Sequence, residues 1–215
     1  ERSHSLTLNV NQVVQFGPNP MMIDLDVFYT RFSNKIVPDY DADPNQIVYG
    51  NLSGYAISRG VGVTLNQNVA FDRFLYSVGV TLQDVFTVDD GDPEDEFFAP
   101  NVRTVLSATY NARRFPVRFD YTGSVTGSMR LPAYDAPFTR AEQSPTYSLH
   151  NVQGSWRIES GSEFYLSVKN VFDYVQPSAL IDPAHPFGDD FDTAYVFGPL
   201  RGRHLMLGVR YGVGR

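Results

Sequence analysis

Hydrophobic and polar residues alternate with a period of two along most of this chain, and no apolar stripe of helical period extends beyond two turns. The segment 115–126 shows the alternation most clearly. Its apolar positions are Phe115, Val117, Phe119, Tyr121 and Val125, and its polar positions are Arg118, Asp120, Thr122, Ser124 and Thr126. Because successive side chains of a strand point to opposite faces, the pattern predicts β-strands with one apolar and one polar face.

The same pattern predicts nine long strands in sequential antiparallel order. They are expected at about 5–16, 21–33, 55–69, 74–87, 102–112, 115–127, 146–158, 162–171 and 202–212. Each has roughly ten residues or more, about twice the usual length in globular proteins. Two further segments are less regular: 47–52 fits a short strand within a loop, and 191–198 fits a tenth strand.

Short and long connections alternate along the chain. Short turns are predicted at 17–20, 70–73, 113–116 and 159–162, and long loops at about 34–53, 88–101, 128–145 and 172–201. In an antiparallel meander alternate connections lie at opposite ends of the sheet, so all the long loops should lie at one end. This asymmetry is typical of outer-membrane barrels. The predicted fold class is therefore all-β, an antiparallel up-and-down meander that forms part of a transmembrane β-barrel.

Two other all-β architectures share the alternation. A soluble sandwich buries its apolar faces between two sheets, although its strands are usually shorter. A propeller repeats every 40–50 residues or so, but each blade needs four short strands, whereas each period here supplies two long ones. The propeller is therefore excluded, and a soluble all-β binding or structural domain stays as the alternative to the membrane barrel.

Charge is distributed unequally along the 215 residues. The formal net charge is −7, and the long loops are acidic, most of all in the run DDGDPEDE at 89–96. This balance argues against a nucleic-acid partner, which normally requires a basic surface. Charges within strands are expected on the polar, lumen-facing side, because a charge that faces lipid at mid-depth costs about 2–4 kcal/mol. With no cysteine, the chain has no disulfide, thiolate metal site or cysteine nucleophile.

Three segments near the end of the chain resemble TonB-dependent outer-membrane receptors. They are KNVFD at 169–173, GPLRGR at 198–203 and LGVRY at 207–211, which are similar to the end of one strand, the entry to the last strand and the last strand itself. Segments at 28–51, 54–61 and 144–156 also resemble strands of these barrels. The resemblance therefore covers nearly the whole chain.

The resemblance implies a bacterial outer-membrane barrel of about 22 strands around an N-terminal plug. It implies import of a scarce large nutrient, such as a siderophore, cobalamin or a glycan, with energy supplied through TonB. The implied partners are outer-membrane lipid, the TonB complex through the plug, the barrel-assembly machinery and the large nutrient ligand. Residues 1–215 are expected to form the C-terminal part of such a barrel, without the plug and the N-terminal strands, and no enzyme activity or cofactor is expected.

This fragment interpretation predicts two free sheet edges. In a complete barrel every strand has two neighbours, because unpaired backbone groups in lipid cost several kcal/mol each. Strands 5–16 and 202–212 would be the first and last of the segment, so each should have one intrachain neighbour. An open curved sheet, edge pairing with a second copy and closure into a small barrel are the arrangements open to such a segment.

Aromatic residues in the long loops are candidates for contact with an incoming nutrient. They are Tyr134, Phe138, Phe187, Phe191 and Tyr195. A loop cap that packs on itself is the more common arrangement for such residues.

The last strand carries a short pattern of the form G-x-x-aromatic-x-hydrophobic. Gly208, Tyr211 and Val213 form it, and it resembles the signal read by the barrel-assembly machinery. The alternative is an ordinary amphipathic edge strand. The position in the last strand favours the assembly signal.

No metal or catalytic site is predicted. Asp89, Asp90, Asp92 and Glu94 are a weak calcium candidate, because they offer hard oxygen ligands, but such a run is more often a solvated loop tip. The histidines His4, His150, His185 and His204 lack metal-ligand spacing. No G-x-S-x-G motif precedes a helix, so a barrel enzyme is the least favoured alternative.

Overall fold

The computed structural model describes residues 1–39, 48–70, 73–89, 91–158 and 161–211. Within these residues the chain forms twelve strands: β1 (Arg2–Phe16), β2 (Asn19–Ser33), β3 (Ile36–Asp39), β4 (Val48–Asn51), β5 (Tyr55–Val69), β6 (Phe74–Asp89), β7 (Asp92–Asp95), β8 (Val102–Asn111), β9 (Val117–Thr126), β10 (Tyr147–Arg157), β11 (Glu163–Lys169) and β12 (His204–Arg210). One antiparallel sheet has the order β1-β2-β5-β6-β8-β9-β10-β11-β12, with β7 paired to β6, and β3 pairs with β4 separately. None of the described segments is a helix of the length and apolarity needed to cross a membrane.

The predicted meander is confirmed. The nine long strands of the sheet are the nine predicted ones, and the strand expected at 47–52 is β4. A tenth strand at 191–198 is not formed. The side chain of Gln176 accepts hydrogen bonds from the backbone N–H groups of Phe197 and Gly198, at 2.8 and 2.7 Å, so no neighbouring strand pairs with them.

Strands β1 and β12 lie at the two edges of the sheet, and each has one neighbour among the described residues. This confirms the open sheet, in which β12 pairs with β11. All fifteen residues of β1 are exposed. Each edge therefore leaves a row of backbone N–H and C=O groups for another strand to pair.

The sheet separates apolar and polar side chains to opposite faces, and the register aligns them from strand to strand. Large side chains of the apolar face remain exposed. In β12, Leu205, Leu207 and Val209 are 71%, 81% and 59% exposed. A soluble domain would bury such a face against a second layer, and the described residues supply none. The apolar face is therefore the face that lipid covers in a membrane barrel.

Polar side chains of the other face bond across the strands. Asp24 accepts hydrogen bonds from Asn11 and, at 3.2 Å, from Asn66, while Thr109 donates to Asp120 at 2.7 Å. Such cross-strand pairs stabilise a sheet. This polar face is the one that a barrel turns towards its aqueous interior.

The apolar face forms a band that ends before the strands do. On β1 the band extends from Leu6 to Phe16. Ten steps along a strand tilted by about 45° cover about 24 Å, which agrees with the apolar band of about 25 Å in outer-membrane barrels. Aromatic residues mark the limit of the band at the short-turn end: Phe16, Phe74, Tyr110 and Trp156. An amphipathic ring suits that boundary.

Gly60 in β5 allows an aromatic ring and a neighbouring strand to come close. A Cβ atom at this position would lie 2.5 Å from the carbonyl oxygen of Leu82 and 2.6 Å from Cζ of Phe28. At Gly62, two residues further along the same face, the nearest atom to a Cβ would be Oγ1 of Thr81 at 3.6 Å, an ordinary contact. A methyl group would therefore clash at Gly60 and fit at Gly62.

We expect Gly60→Ala to destabilise the barrel by about 1–3 kcal/mol, because the added methyl group overpacks against Phe28 and the β6 backbone. Gly62→Ala is the matched control and should be nearly neutral, since its methyl group fits. The measurement is thermal unfolding in detergent of the receptor that carries this segment, read from its gel migration with and without boiling. Equal unfolding temperatures for the two variants would contradict the prediction.

Candidate functional site

The long loops gather at one end of the sheet, where four residues form a small buried cluster that we call the loop core. Met129, Leu131, Ile181 and Tyr195 are each 7% exposed or less. Phe98, Tyr134, Phe138, Tyr147 and Phe197 pack against them. These residues come from the loops 96–101, 127–146 and 170–203 and from the first residue of β10. The three loops are therefore one packed unit.

Two tyrosine hydroxyl groups connect loop 127–146 to loop 170–203. Tyr134 donates a hydrogen bond to Oδ2 of Asp192 at 2.5 Å, and Tyr195 donates to the carbonyl oxygen of Ala141 at 2.8 Å. The two rings meet edge to face, with 5.9 Å between their centroids. A buried phenol with a hydrogen-bond partner loses little on leaving water, so both rings contribute their apolar area to the loop core.

Burial is the largest influence on the ionisation of Tyr195. It raises the pKa of the phenol above the ordinary value of 10, while Arg140 and the hydrogen bond to Ala141 oppose the shift. Burial likewise raises the pKa of Tyr174, with a further contribution from Tyr147, whose ring stacks on it at 5.1 Å. Both effects have the same physical cause, because a phenolate loses more hydration on burial than a phenol does.

Asn170 joins the two ends of loop 170–203. Its backbone is left-handed, with φ of 51°, a conformation that Asn tolerates better than most residues. Its side-chain amide donates to the carbonyl oxygens of Tyr174 at 2.7 Å and Arg201 at 3.2 Å, and its Oδ1 accepts the N–H of Tyr174 at 3.0 Å. The segment KNVFD is thereby attached to the segment GPLRGR on the far side of the loop.

Asp173 makes a second link between the same segments. Its Oδ1 accepts the backbone N–H of Arg203 at 2.5 Å, and its Oδ2 lies 4.0 Å from Nη2 of Arg203. The carboxylate packs on Gly202, where a Cβ atom would overlap with Oδ1. We call Asn170, Asp173 and residues 201–203 the clasp. It closes the base of the loop next to β11 and β12.

An acidic cleft of about 310 Å³ lies among the first three long loops. It is lined by Val37, Pro38, Leu52, Thr87, Asp89, Asp92, Glu94, Asp95, Glu96, Phe97 and Arg130. Lys35 pairs with Glu96 at 2.6 Å, and Arg130 pairs with Glu94 at 2.8 Å. The Arg130 guanidinium also lies 4.3 Å from the centroid of the Phe97 ring. These pairs join the first long loop to the second and the second to the third.

The polar face continues below the loops as a wall of hydrogen-bonding groups. A cavity of about 440 Å³ on β8 to β11 is lined by Ser107, Thr109, Arg118, Asp120, Tyr121, Thr122, Asn151, Val152, Gln153, Ser167 and Lys169. Arg118 and Asp120 form an ion pair at 2.7 Å. We call this surface the polar wall. Its hydroxyl, amide and charged groups suit a large hydrated solute better than an apolar one.

The structure divides the five loop aromatics between packed and exposed positions. Tyr195 belongs to the loop core, and Tyr134 and Phe138 pack against it. Phe187 is fully exposed, and Phe191 is partly buried. Phe187 is therefore the most exposed aromatic side chain of this set.

The other predicted residues have separate surroundings. Gly208 lies under the ring of Tyr165, and Tyr211 is 76% exposed at the end of β12, while Val213 lies outside the described residues. Of the calcium candidates, Asp90 also lies outside them, and Glu94 is paired with Arg130. In the described ranges no three acidic, histidine or cysteine side chains are grouped to hold a metal ion.

Some of the residues that join the loops to each other could not be identified from the sequence. Lys35 and Arg130 are isolated basic residues in acidic loops, and their pairing partners are 61 and 36 positions away in the chain. Asn170 and Asp173 do have a signal, because both lie in the KNVFD segment. Their contacts with residues 201–203 follow only from the folded loop.

A single-layer meander with an exposed apolar band, a polar opposite face and all its long loops at one end defines the class as a segment of an outer-membrane β-barrel. The sequence profile of the family described as TonB dependent receptor-like, beta-barrel matches residues 1–171, so the chain belongs to the TonB-dependent receptor family. This is an outer-membrane family of transport receptors, not of enzymes. No curated protein sequence matches the chain.

Solved receptor structures are similar in fold to nearly the whole chain. The ferric-catecholate import receptor Fiu of Escherichia coli K12 is 16% identical, with a TM-score of 0.65 over 96% of this chain and 27% of that receptor. The ferripyoverdine receptor of the Pseudomonas aeruginosa outer membrane is 16% identical, with a TM-score of 0.67 over 97% and 27%. The copper transporter OprC is 12% identical, with a TM-score of 0.64 over 97% and 30%. The chain therefore spans under a third of the length of these receptors and shares their barrel fold.

We expect Gly202→Ala to open the clasp, because its methyl group would occupy the space of the Asp173 carboxylate. Gly198→Ala is the matched control, since a Cβ atom there would lie no closer than 3.5 Å to its neighbours. Limited proteolysis of the receptor in outer membranes should cleave loop 170–203 at least several times faster in Gly202→Ala, while the barrel stays folded. Equal cleavage rates in the two variants would contradict the clasp.

The loop core should lose stability in alkaline solution. Because the pKa of Tyr195 is raised in the folded state, the stability from its neutral phenol is present below pH 10 and is lost as the pH rises through the folded-state pKa. We expect a tyrosinate absorbance step above pH 10 that Tyr195→Phe removes. A step at the pH of an exposed tyrosine would contradict the assignment.

Proposed function

We propose that residues 1–215 form the C-terminal part of the barrel of a TonB-dependent importer, of which the plug and the N-terminal strands are other parts. Three features support this placement. The segments KNVFD, GPLRGR and LGVRY resemble the end of the family's barrels, the matched share of each solved receptor is under a third, and both edges of the sheet are available to further strands. TonB would act through the plug, and the barrel-assembly machinery would read the last strand.

We propose a scarce large nutrient as the substrate, with a ferric siderophore favoured over cobalamin or a glycan. The observation that carries the import function is the polar face of the sheet, which bears the polar wall, lies opposite the face that lipid covers and has the long loops at one end. The names of two similar receptors, for ferric catecholates and for ferripyoverdine, support the siderophore class. A third similar protein is named as a copper transporter, so the substrate class has to be determined by measuring uptake.

The proposal assigns the first contact with the nutrient to exposed groups of the loops. Phe187 is the leading aromatic candidate because it is fully exposed, and Phe191 is the next along the same loop. Tyr134, Phe138 and Tyr195 would support the surface from beneath, through the loop core. No cofactor or bound metal is part of this proposal.

The test is uptake of iron-loaded siderophores by cells whose only receptor is the full-length protein that carries this segment. We expect radioactive iron uptake that stops when the TonB system is removed, while siderophore binding at the cell surface persists. Uptake that is independent of TonB, or no binding of any siderophore, cobalamin or glycan in a panel, would contradict the proposed function.

We expect Phe187→Ala to weaken binding of the imported nutrient several-fold, because an exposed loop ring is lost from the contact surface. Phe115→Ala is the matched control: Phe115 is 68% exposed, but it lies at the short-turn end of the sheet. Both variants should reach the outer membrane in equal amounts. Equal affinities of the two variants would show that Phe187 does not contact the nutrient.

A further inference from the structure

Each of the last five long strands places a basic residue on the polar face of the sheet. These residues, which we call the basic ladder, are Arg103 in β8, Arg118 in β9, Arg157 in β10, Lys169 in β11 and Arg210 in β12. The polar faces of β1, β2 and β5 carry no basic residue, and their charged groups are the carboxylates of Asp24 and Asp26. The polar face is therefore divided into an acidic side and a basic side.

The register places the basic ladder at successive depths below the long loops. Arg103 is opposite Thr126 at the loop end of β9, and Arg118 lies eight residues further along that strand. Lys169 is at the level of Thr122, halfway between them. Four residues of a strand tilted by about 45° advance by about 10 Å. Positive groups therefore follow one another at intervals of about 10 Å from the loop end towards the short turns.

The basic side holds fewer carboxylates than cations. Among the residues of β8 to β12, all of which the structure describes, the carboxylates are those of Asp120 and Glu163. Asp120 pairs with Arg118 at 2.7 Å, and Glu163 pairs with Arg210. Each carboxylate therefore neutralises a basic residue close to the short-turn end of the sheet.

The other three cations of the ladder are unpaired. Arg103, Arg157 and Lys169 are exposed, and none of them forms an ion pair with another residue that the structure describes. An excess of one charge on a wall backed by lipid attracts solutes of the opposite charge, because a low-dielectric wall focuses the field into the water beside it. The basic side is therefore complementary to anions.

Two members of the basic ladder meet at one cavity. Lys169 and Arg118 both line the cavity of about 440 Å³ on the polar wall. Hydroxyl and amide groups share this surface, among them the side chains of Asn151 and Thr122, which are hydrogen-bonded at 3.1 Å. An ammonium group and a planar guanidinium group are strong donors to the oxygens of an anion. The cavity therefore suits an oxygen-rich anion.

We propose that the basic ladder is an anion path, which binds the negatively charged groups of the imported solute in succession as the solute moves along the polar face. The proposal rests on the proposed import function and narrows its substrate to anions, such as ferric complexes of catecholates with a net negative charge. A neutral or cationic ferric complex lacks the charge that the ladder attracts.

The test measures uptake of three radioactive iron complexes by cells whose only siderophore receptor is the full-length protein. The probes are an anionic ferric tris-catecholate, a neutral ferric trihydroxamate and a cationic ferric trihydroxamate that carries an amine, each below saturation. We expect the double variant Arg103→Gln, Lys169→Gln to import the tris-catecholate about threefold or more slowly, because each exposed charge contributes about twofold to fivefold to an ion pair. Its uptake of the neutral complex should be unchanged.

The double variant Arg2→Gln, Arg31→Gln is the matched control. Both residues are exposed on the apolar face, just beyond the loop-side limit of the apolar band, so the expectation that strand charges face the polar side is wrong for them. The control removes the same charge from the protein but leaves the basic ladder intact. It should import all three complexes at the rate of the unmodified receptor.

Binding to the purified receptor at increasing NaCl concentration gives a second measurement. Salt screens charges that face water, so binding of the tris-catecholate should weaken with salt more steeply in the unmodified receptor than in Arg103→Gln, Lys169→Gln. Gel migration before and after boiling establishes that each variant is folded. A merely structural role of the two residues would lower the binding of charged and neutral complexes equally.

Selective loss of tris-catecholate uptake and of its salt dependence in Arg103→Gln, Lys169→Gln supports the anion path. Unchanged uptake in that variant, an equal loss for the neutral complex, or an equal loss in the control would overturn it. TonB-dependent uptake of neutral or cationic complexes in preference to the anionic one overturns the anion path and still supports the import function. Failure to bind or import any of the complexes contradicts both.

Discussion

Backbone hydrogen bonding between neighbouring antiparallel strands is the constraint on which the rest of this structure depends. The sheet is a single layer, so no second layer shields its backbone groups, and each strand relies on the strands beside it. Strands β1 and β2, for example, pair with each other along all fifteen residues. Because each long strand pairs with the long strands before and after it in a single layer, both faces stay free. One is then available to lipid and the other to an aqueous interior.

A single-layer sheet buries few side chains, whereas the long loops pack around a small hydrophobic core of their own. The loop core buries Leu131 and Ile181 to 1% exposure, which residues of the sheet rarely reach. The ion pairs of Lys35 and Arg130 and the clasp at Asn170 connect the loops to each other and to the strand ends. The long loops are therefore one connected surface at this end of the sheet.

The alternation of residue types predicted the strands well, because each strand obeys one local rule. Side chains at positions i and i+2 share a face, and the apolar band requires that face to be apolar for the whole membrane thickness. The segment 191–198 is the informative exception. It has a strand-like composition, but Gln176 accepts its backbone N–H groups, and no local pattern encodes a partner some twenty residues away. The loop aromatics were recognised by type, yet burial of Tyr195 and exposure of Phe187 depend on how the loops pack.

The sequence by itself determined the strand positions, the two faces and the end at which the long loops lie, since all three follow from period-two alternation and from connection length. The resemblance of KNVFD and GPLRGR to receptor segments indicated the family, and the family profile established it. Only the tertiary structure showed that these two segments form a clasp and that Arg31 lies beside His4 at the rim of the apolar band. The reason is physical: alternation specifies which face a side chain occupies, whereas strand register and loop closure decide which distant side chains meet there.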